Sequence, residues 1–306
     1  MSHHVHYQKG LAVTIPTEHN EAGEKSEEAP ILVLNDPLRT LPELAVSSRY
    51  SRSHHHPHVP LLRPANDDET NPDWIEATVT SRPNGQFVTY HQRKPTYSAL
   101  SAKTHRLVSC ESHWERLHQM FLDHDPECID YELQGLEIRY VDMKGRKHLF
   151  TLDAVAARTD GLHAYEVKAT RSHFLVSPYN KGMSNVEDIL SRIDIKLNKV
   201  TGISIAQNLR LMRNLSFGWM HCFDRVEPEQ IEAIRSALAN GSTRFGDVRH
   251  LLDDDRRGQE AKAHALMTRR VIAFDLHSRL TDDSVVRLPR TPRQRDIRRI
   301  GARIVR

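Results

Sequence analysis

The chain has 306 residues, room for about two domains of ordinary size. Its 43 Lys and Arg against 40 Asp and Glu leave a formal net charge of only +3, which excludes a protein that coats polyanions uniformly and makes any nucleic-acid surface a local one. The three scattered cysteines, Cys110, Cys128 and Cys222, argue against a disulfide scaffold or a thiolate zinc site and for a reducing cytoplasm, while the lack of an apolar run near ~20 residues or of a basic-then-apolar leader predicts neither a membrane span nor a secretory signal.

Mean hydropathy is −0.59 and 38% of residues are hydrophobic, so the core is expected to be concentrated in part of the chain. Residues 1–75 are predicted to be a disordered low-complexity arm, with short apolar islands (Leu11–Ile15, Ile31–Leu34) among Glu, Ser, Pro and His. In it, His54, His55, His56 and His58 offer nitrogen to a transition metal, although a solvated linker is the ordinary reading. From Asn71 to Leu107, turn signals at Asn71-Pro72 and Pro83-Asn84-Gly85 separate short β-like pieces such as Gln86–Tyr90, an extended lead-in.

Residues 76–225 carry an α/β pattern. His113–Asp123 reads as a helix with Trp114, Leu117 and Phe121 on one face, ended by Asp125-Pro126. Three strand-like runs follow: one containing Leu136, Ile138 and Tyr140, then Lys147–Ala157, then Leu162–Ala169. The short turns at Lys144-Gly145 and Asp160-Gly161 predict antiparallel hairpins. Val186, Leu190, Ile193, Leu197 and Val200 read as one stripe of a second helix, and Leu215–Cys222 as a last strand.

Residues 226–288 read as a separate winged helix-turn-helix domain. Ile231, Ile234 and Leu238 mark a first helix ended by Asn240-Gly241. Thr243 is placed to cap a second, with Val248, Leu251 and Leu252. Gln259–Thr268 forms a third, and Val271–Leu276 with Ser284–Leu288 a hairpin. Lys262, Arg269 and Arg270 on or after the third helix are balanced by Glu260, too even a mixture for a major-groove reader. Residues 289–306 are a basic tail with seven arginines against Asp296, suited to phosphates, to an acidic partner or simply to water.

The residues that carry chemistry are Glu115, Asp153, Glu166 and Lys168. Side chains two apart in a strand share a face, so Glu166 and Lys168 lie together, opposite Tyr165 and Val167. Leu152 and Ala154 are expected to face away from Asp153. The Asp160-Gly161 turn lies seven residues after Asp153 and five before Glu166, so the two carboxylates are predicted side by side across the hairpin. Such a pair repels unless a hard cation such as Mg²⁺ (or Mn²⁺ in its place) bridges it with oxygen ligands. A metal held there polarises a phosphodiester and lowers the pKa of an attacking water, while Lys168 positions the water or offsets the developing charge. Glu115 completes the coordination or anchors a second metal. Each has a plainer reading: Ser112-His-Trp-Glu115 fits a capping box, Asp153 an exposed strand position, and Glu166/Lys168 a surface ion pair worth ~0.2–1 kcal/mol.

The order helix with Glu, strand with Asp, strand with E-x-K resembles the PD-(D/E)xK nuclease superfamily, whose core is αβββαβ, over Ser112 to about Cys222. Leu152 stands where the signature has Pro. The surrounding words, Ser112-His-Trp-Glu115, Asp125-Pro126, Gln134, Ile138-Arg-Tyr140, Thr151-Leu-Asp153 and Glu166-Val-Lys168, resemble the TnsA-type transposon endonucleases, which add a C-terminal winged-helix-like domain. The resemblance implies cleavage of the non-transferred strand at transposon ends in double-stranded DNA, beside an integrase-type transposase subunit and an AAA+ ATPase regulator. It places Glu115, Asp153, Glu166 and Lys168 at catalytic positions, with Asp153, Glu166 and Glu115 as metal ligands.

A stand-alone restriction or repair nuclease fits the same residues, and an adaptor that binds DNA or protein through the winged helix is the rival from another class. Gln134 is read as a DNA or water contact, or as a backbone-capping or buried hydrogen-bonded glutamine. His148, His163 and His173 are poor candidates for a hard-metal site. Trp114, Phe121 and Trp219 are read as core, and Arg171, Lys181 and Lys196 as cations that flank the site.

Overall fold

The computed structural model describes residues 62–63, 73–81 and 96–292. The two apolar islands, the histidine run, Gln86–Tyr90 and the basic tail beyond residue 292 lie outside them.

The architecture is mixed α/β. Five strands form the main sheet: β1 (Trp74–Ser81), β4 (Cys128–Asp142), β5 (Lys147–Arg158), β6 (Gly161–Lys168) and β7 (Ile195–Thr201), in the order β1-β4-β5-β6-β7. The first three pairings are antiparallel and β6/β7 is parallel. A small ribbon of β2 (Tyr97–Leu100) and β3 (Leu107–Cys110) precedes α1 (His113–His124). The hairpins form where the turns were expected. Gly145 and Gly161 have φ of +74° and +139°, a region open to glycine at no Cβ cost. Asp142 also locks its turn by accepting from the Lys144 and Arg146 amides at 2.9 Å.

Helices cover both sides of the sheet. On one side, after the short α2 (Ser172–Leu175), α3 (Tyr179–Ser191) sets Met183, Val186, Ile189 and Leu190 against Trp74, Leu136, Ile138, Leu152 and Ile195. On the other side Leu122 of α1 joins Cys128, Tyr131, Ala154, Ala156 and Tyr165. Burial of each Val, Leu, Ile or Met among them contributes ~1.5–3 kcal/mol. The cysteines Cys110, Cys128 and Cys222 are buried free thiols.

Two elements differ from the sequence reading. The stripe Val186–Val200 is not one helix. It ends at Ser191, Asp194 takes a left-handed φ of +57°, and Leu197 and Val200 fall in β7. Parallel pairing with β6 supplies the backbone hydrogen bonds there, and tertiary pairing overrides a helical period. Leu215–Cys222 is not a strand. It lies within or just after α5 (Leu209–His221), which follows α4 (Gly202–Gln207) and is capped by the Asn208 side chain on the Leu211 amide at 3.0 Å. Leu211, Leu215 and Gly218 form its buried stripe at i, i+4, i+7. The order helix, three strands, helix, strand survives because β7 takes the place of the expected last strand.

The C-terminal part contains α6 (Pro228–Leu238), β8 (Thr243–Arg244), α7 (Phe245–Val248) with a 3-10 turn at Arg249–Leu251, α8 (Arg256–Thr268) and β9 (Val285–Val286). Gly241, at φ +128°, follows the first helix as expected. Thr243 does not cap α7. It sits in β8, which pairs with β9, and the 271–276 and 284–288 runs meet only in the bridge Ala273↔Arg287. This part packs on the first: Asn214 of α5 donates to Leu276 O at 2.7 Å, Arg270 to Pro126 O at 2.9 Å, and Arg287 pairs with Glu127 at 2.9 Å.

Candidate active site

The site begins with an irregularity. Leu133 pairs with Ala154 but Leu136 pairs with Leu152, so Gln134 and Gly135 stand opposite Asp153 alone. Gln134 takes φ +51°, and a Cβ on Gly135 would press on Glu132 and Val155, at 2.9 and 3.0 Å. Such a bulge bends one strand and disrupts the local ladder. Leu152, Val155 and Ala157 join the core under α3, whereas Ala154 and Ala156 join the core under α1. The expectation that Leu152 and Ala154 share a face is therefore corrected: the alternation breaks at Asp153. Gln134 supplies this kink.

Across the hairpin, Ala154 pairs with Tyr165, and the Val167 amide donates to Asp153 Oδ2 at 2.6 Å. Asp153 and Glu166 are thus neighbours on adjoining strands. Lys168 Nζ lies 2.5 Å from Glu166 Oε1 and 3.9 Å from Asp153 Oδ2. Burial, followed by the negative charge of Glu166, pushes the Asp153 carboxyl up to about 8, with Lys168 opposing. Burial pulls the Lys168 ammonium down, but the Glu166 and Asp153 charges outweigh it and the net shift is upward. Lys168 stays protonated beside them.

Glu166 is 5% exposed and its Oε2 has no hydrogen-bond partner among the described residues. An orphaned, buried carboxylate oxygen beside a second carboxylate that resists ionisation is a donor set short of positive charge. It fits a hard divalent cation.

Glu115 is placed differently. Its Oε2 accepts from the Glu111 amide at 3.0 Å and its Oε1 from the Ser112 hydroxyl at 2.7 Å, while Ser112 Oγ accepts from the Glu115 amide at 3.2 Å. This is a capping arrangement, and it holds the carboxylate at the α1 N-terminus. Glu115 still acts on Asp153 as a further negative charge. Among the described residues no three His, Cys, Asp or Glu side chains are grouped to hold a metal, so the donor set here is the pair Asp153 and Glu166.

Tyr179 at the start of α3 was not singled out from the sequence. Its hydroxyl donates to Glu166 Oε1 at 2.6 Å, and Lys168 Nζ lies 5.6 Å from its ring centroid. Burial, then the Glu166 contact, raises the phenol well above its usual range, so it remains a donor. No local motif marks it, because ten residues of crossover separate it from Lys168.

The other candidates are accounted for locally. His163 pairs with Asp160 at 3.1 Å, His148 with Asp142 at 3.0 Å, and His173 hydrogen-bonds Thr170 at 2.9 Å. Trp114 packs over Gly202, Arg116 stacks on Trp219 at 3.8 Å, and Phe121 lies beside His118. Lys181 pairs with Asp73 at 2.8 Å, whereas Arg171 is exposed. In the C-terminal part Lys262 pairs with Asp253 at 2.9 Å, Arg256 with Glu260 at 2.8 Å, and Arg269 donates to Asp224 O at 2.5 Å.

No protein-family model matches the chain, and no curated protein matches it. Among the described residues no helix is long and apolar enough to cross a membrane.

Proposed function

We propose that the chain is a metal-dependent DNA endonuclease with a PD-(D/E)xK-type site, working in the manner of the TnsA subunit of a heteromeric transposase. The observation that carries this reading is the meeting of Asp153 and Glu166 across β5 and β6, with Lys168 Nζ 2.5 Å from Glu166 and Glu166 Oε2 left without a partner. Asp153 and Glu166 would hold Mg²⁺, with Mn²⁺ as a substitute. The ion would supply a Lewis acid for the phosphate and a lowered pKa for bound water.

The chain's own residues do the rest. Lys168 holds its proton and presents a fixed positive charge where negative charge builds on the phosphoryl oxygens. Tyr179 and Lys168 together fix Glu166 Oε1, which leaves Oε2 available. Glu115 rigidifies the end of α1 and adds negative field. The pairing of β8 with β9 and the Ala273–Arg287 bridge suit a winged-helix module behind the nuclease core. Lys262, Arg256, Arg269 and Arg270 are engaged internally, which favours a docking or structural role for it over base reading. On this reading the partners are transposon-end duplex DNA, an integrase-type transposase and an AAA+ regulator, and the protein works in the cytoplasm.

The test is supercoiled-plasmid nicking by the full chain with Mg²⁺ or Mn²⁺, with and without neighbouring gene products and candidate transposon ends. Divalent-dependent nicking that Asp153→Ala and Lys168→Ala abolish is expected. Undiminished cutting by Asp153→Ala would overturn the assignment.

A further inference from the structure

The segment between β6 and α3 carries features that the two carboxylates do not use. From Ala169 to Val186 the chain contains no Asp or Glu. Arg171 and His173 lie along it, and its remaining cation, Lys181, pairs with Asp73 at 2.8 Å. At its centre Leu175 and Val176 are 66% and 60% exposed. Single exposed apolar side chains are ordinary, but two large ones side by side on an acid-free stretch form a patch that suits a partner.

The patch is held in place. Phe174, just before it, is buried, and its ring lies 6.5 Å from the Tyr179 ring. Tyr179 in turn touches Glu166 at 2.6 Å. The Asn180 amide donates to Val176 O at 2.8 Å, which joins the patch to the first turn of α3. An apolar tip on a cationic stem, anchored to the carboxylate pair, matches a partner that is anionic outside and apolar and stacked within. Duplex nucleic acid has that chemistry, and proteins that kink it insert Leu, Ile, Phe or Met between base steps.

We propose that Leu175 and Val176 form a wedge that enters the base stack beside the phosphate presented to Asp153 and Glu166, with Arg171 on a flanking phosphate. The location of the wedge relative to a cut rests on the nuclease reading; its insertion into duplex DNA does not. Unstacking one step bends the backbone toward the carboxylates and selects flexible pyrimidine–purine steps over stiff ones.

The experiment uses the full chain on supercoiled plasmid, with Ca²⁺ in place of Mg²⁺, and permanganate to oxidise thymines whose faces are unstacked. Nick positions are mapped in parallel with Mg²⁺. Thymines beside the nicks are expected to become reactive. Leu175→Ser with Val176→Ser, both at exposed positions, should lose ~10-fold of that reactivity while filter-binding affinity changes less than ~3-fold. Arg171→Gln should weaken binding and leave reactivity per bound protein unchanged. Bound plasmid with unreactive thymines, a double variant as reactive as the wild type, or no plasmid binding at all each overturns the wedge. Leu175-dependent reactivity without nicking, even after the neighbouring gene products are added, sinks the nuclease reading and keeps the wedge; nicking without reactivity does the reverse.

Discussion

Tyr179 donates its hydroxyl proton to Glu166 Oε1 across 2.6 Å, the same oxygen that Lys168 Nζ approaches at 2.5 Å. Two donors on one oxygen leave the other, Oε2, buried and unpartnered among the described residues. Removing the hydroxyl in Tyr179→Phe should lower the urea-unfolding free energy by about 1.5–3 kcal/mol, the usual worth of a hydrogen bond to a charged group. Mn²⁺ titration calorimetry should show weaker binding, because Glu166 is free to turn. Unchanged Mn²⁺ affinity in a destabilised Tyr179→Phe would reduce the tyrosine to packing.

Glu115 separates capping from ligation. A glutamine's one carbonyl oxygen still accepts from the Glu111 amide, and its NH2 donates to Ser112 Oγ where the carboxylate accepted from it, so Glu115→Gln should stay within about 0.5 kcal/mol of wild-type stability. It also removes one negative charge from the surroundings of Asp153. Mn²⁺ affinity should then fall less than in Asp153→Asn. A loss as large as that of Asp153→Asn would show that Glu115 leaves its cap to bind the ion.

Gly218 marks where the C-terminal part closes on α1. A Cβ there would overlap the His124 ring and lie 3.0 Å from His264 Nδ1, where α5 passes between α1 and α8. Gly→Ala in a helix interior gains ~1 kcal/mol of propensity, whereas overpacking a closed contact costs ~1–3 kcal/mol or more. Gly218→Ala should therefore lower the melting temperature. A rise would mean that α5 and α8 are free to separate.

Acid should loosen the fold through two buried imidazoles. Burial, then Arg158, pushes His118 down to about 3, and burial, then His124 and His221, pushes His264 down to about 3. Unfolded histidine binds a proton below its ordinary 6.5 while these native rings do not, so the unfolded state takes up more protons between those values. Stability is full above 6.5 and falls as pH drops toward 3, by about 1.4 kcal/mol per group for each unit below 6.5. Urea unfolding at about pH 7.5 and about pH 5.5 checks this. His118→Phe, whose ring would keep the tilted contact with Tyr165 at 4.6 Å, should flatten its share of the slope.

The meeting of Asp153 and Glu166 was legible because a hairpin is a local object. Once Asp160-Gly161 is a turn, antiparallel pairing fixes which residues face each other, and Ala154↔Tyr165 is the pair that the count requires. Ser112-x-x-Glu115 was legible as a cap for the same reason, since both partners lie within one helical turn. The misassigned segments were those whose period is ambiguous over a short apolar run. Leu197 and Val200 continue the helical spacing of α3, and only the vacant parallel edge of β6 draws them into β7. Leu215–Cys222 has enough apolar residues for either state, and the packing of α5 on α8 and α1 decides it.

The amino-acid order by itself determined the mixed α/β class, the three consecutive antiparallel strands and the Glu166–Lys168 pair on one face, because turns, caps and a period of two act over a few bonds. Only the tertiary structure decided that the kink at Gln134–Gly135 breaks the alternation at Asp153, that Tyr179 reaches back over a crossover to hold Glu166, and that Glu115 stays with its own helix. Those outcomes depend on how distant backbone segments pack, and side-chain spacing along a chain carries no measure of that distance.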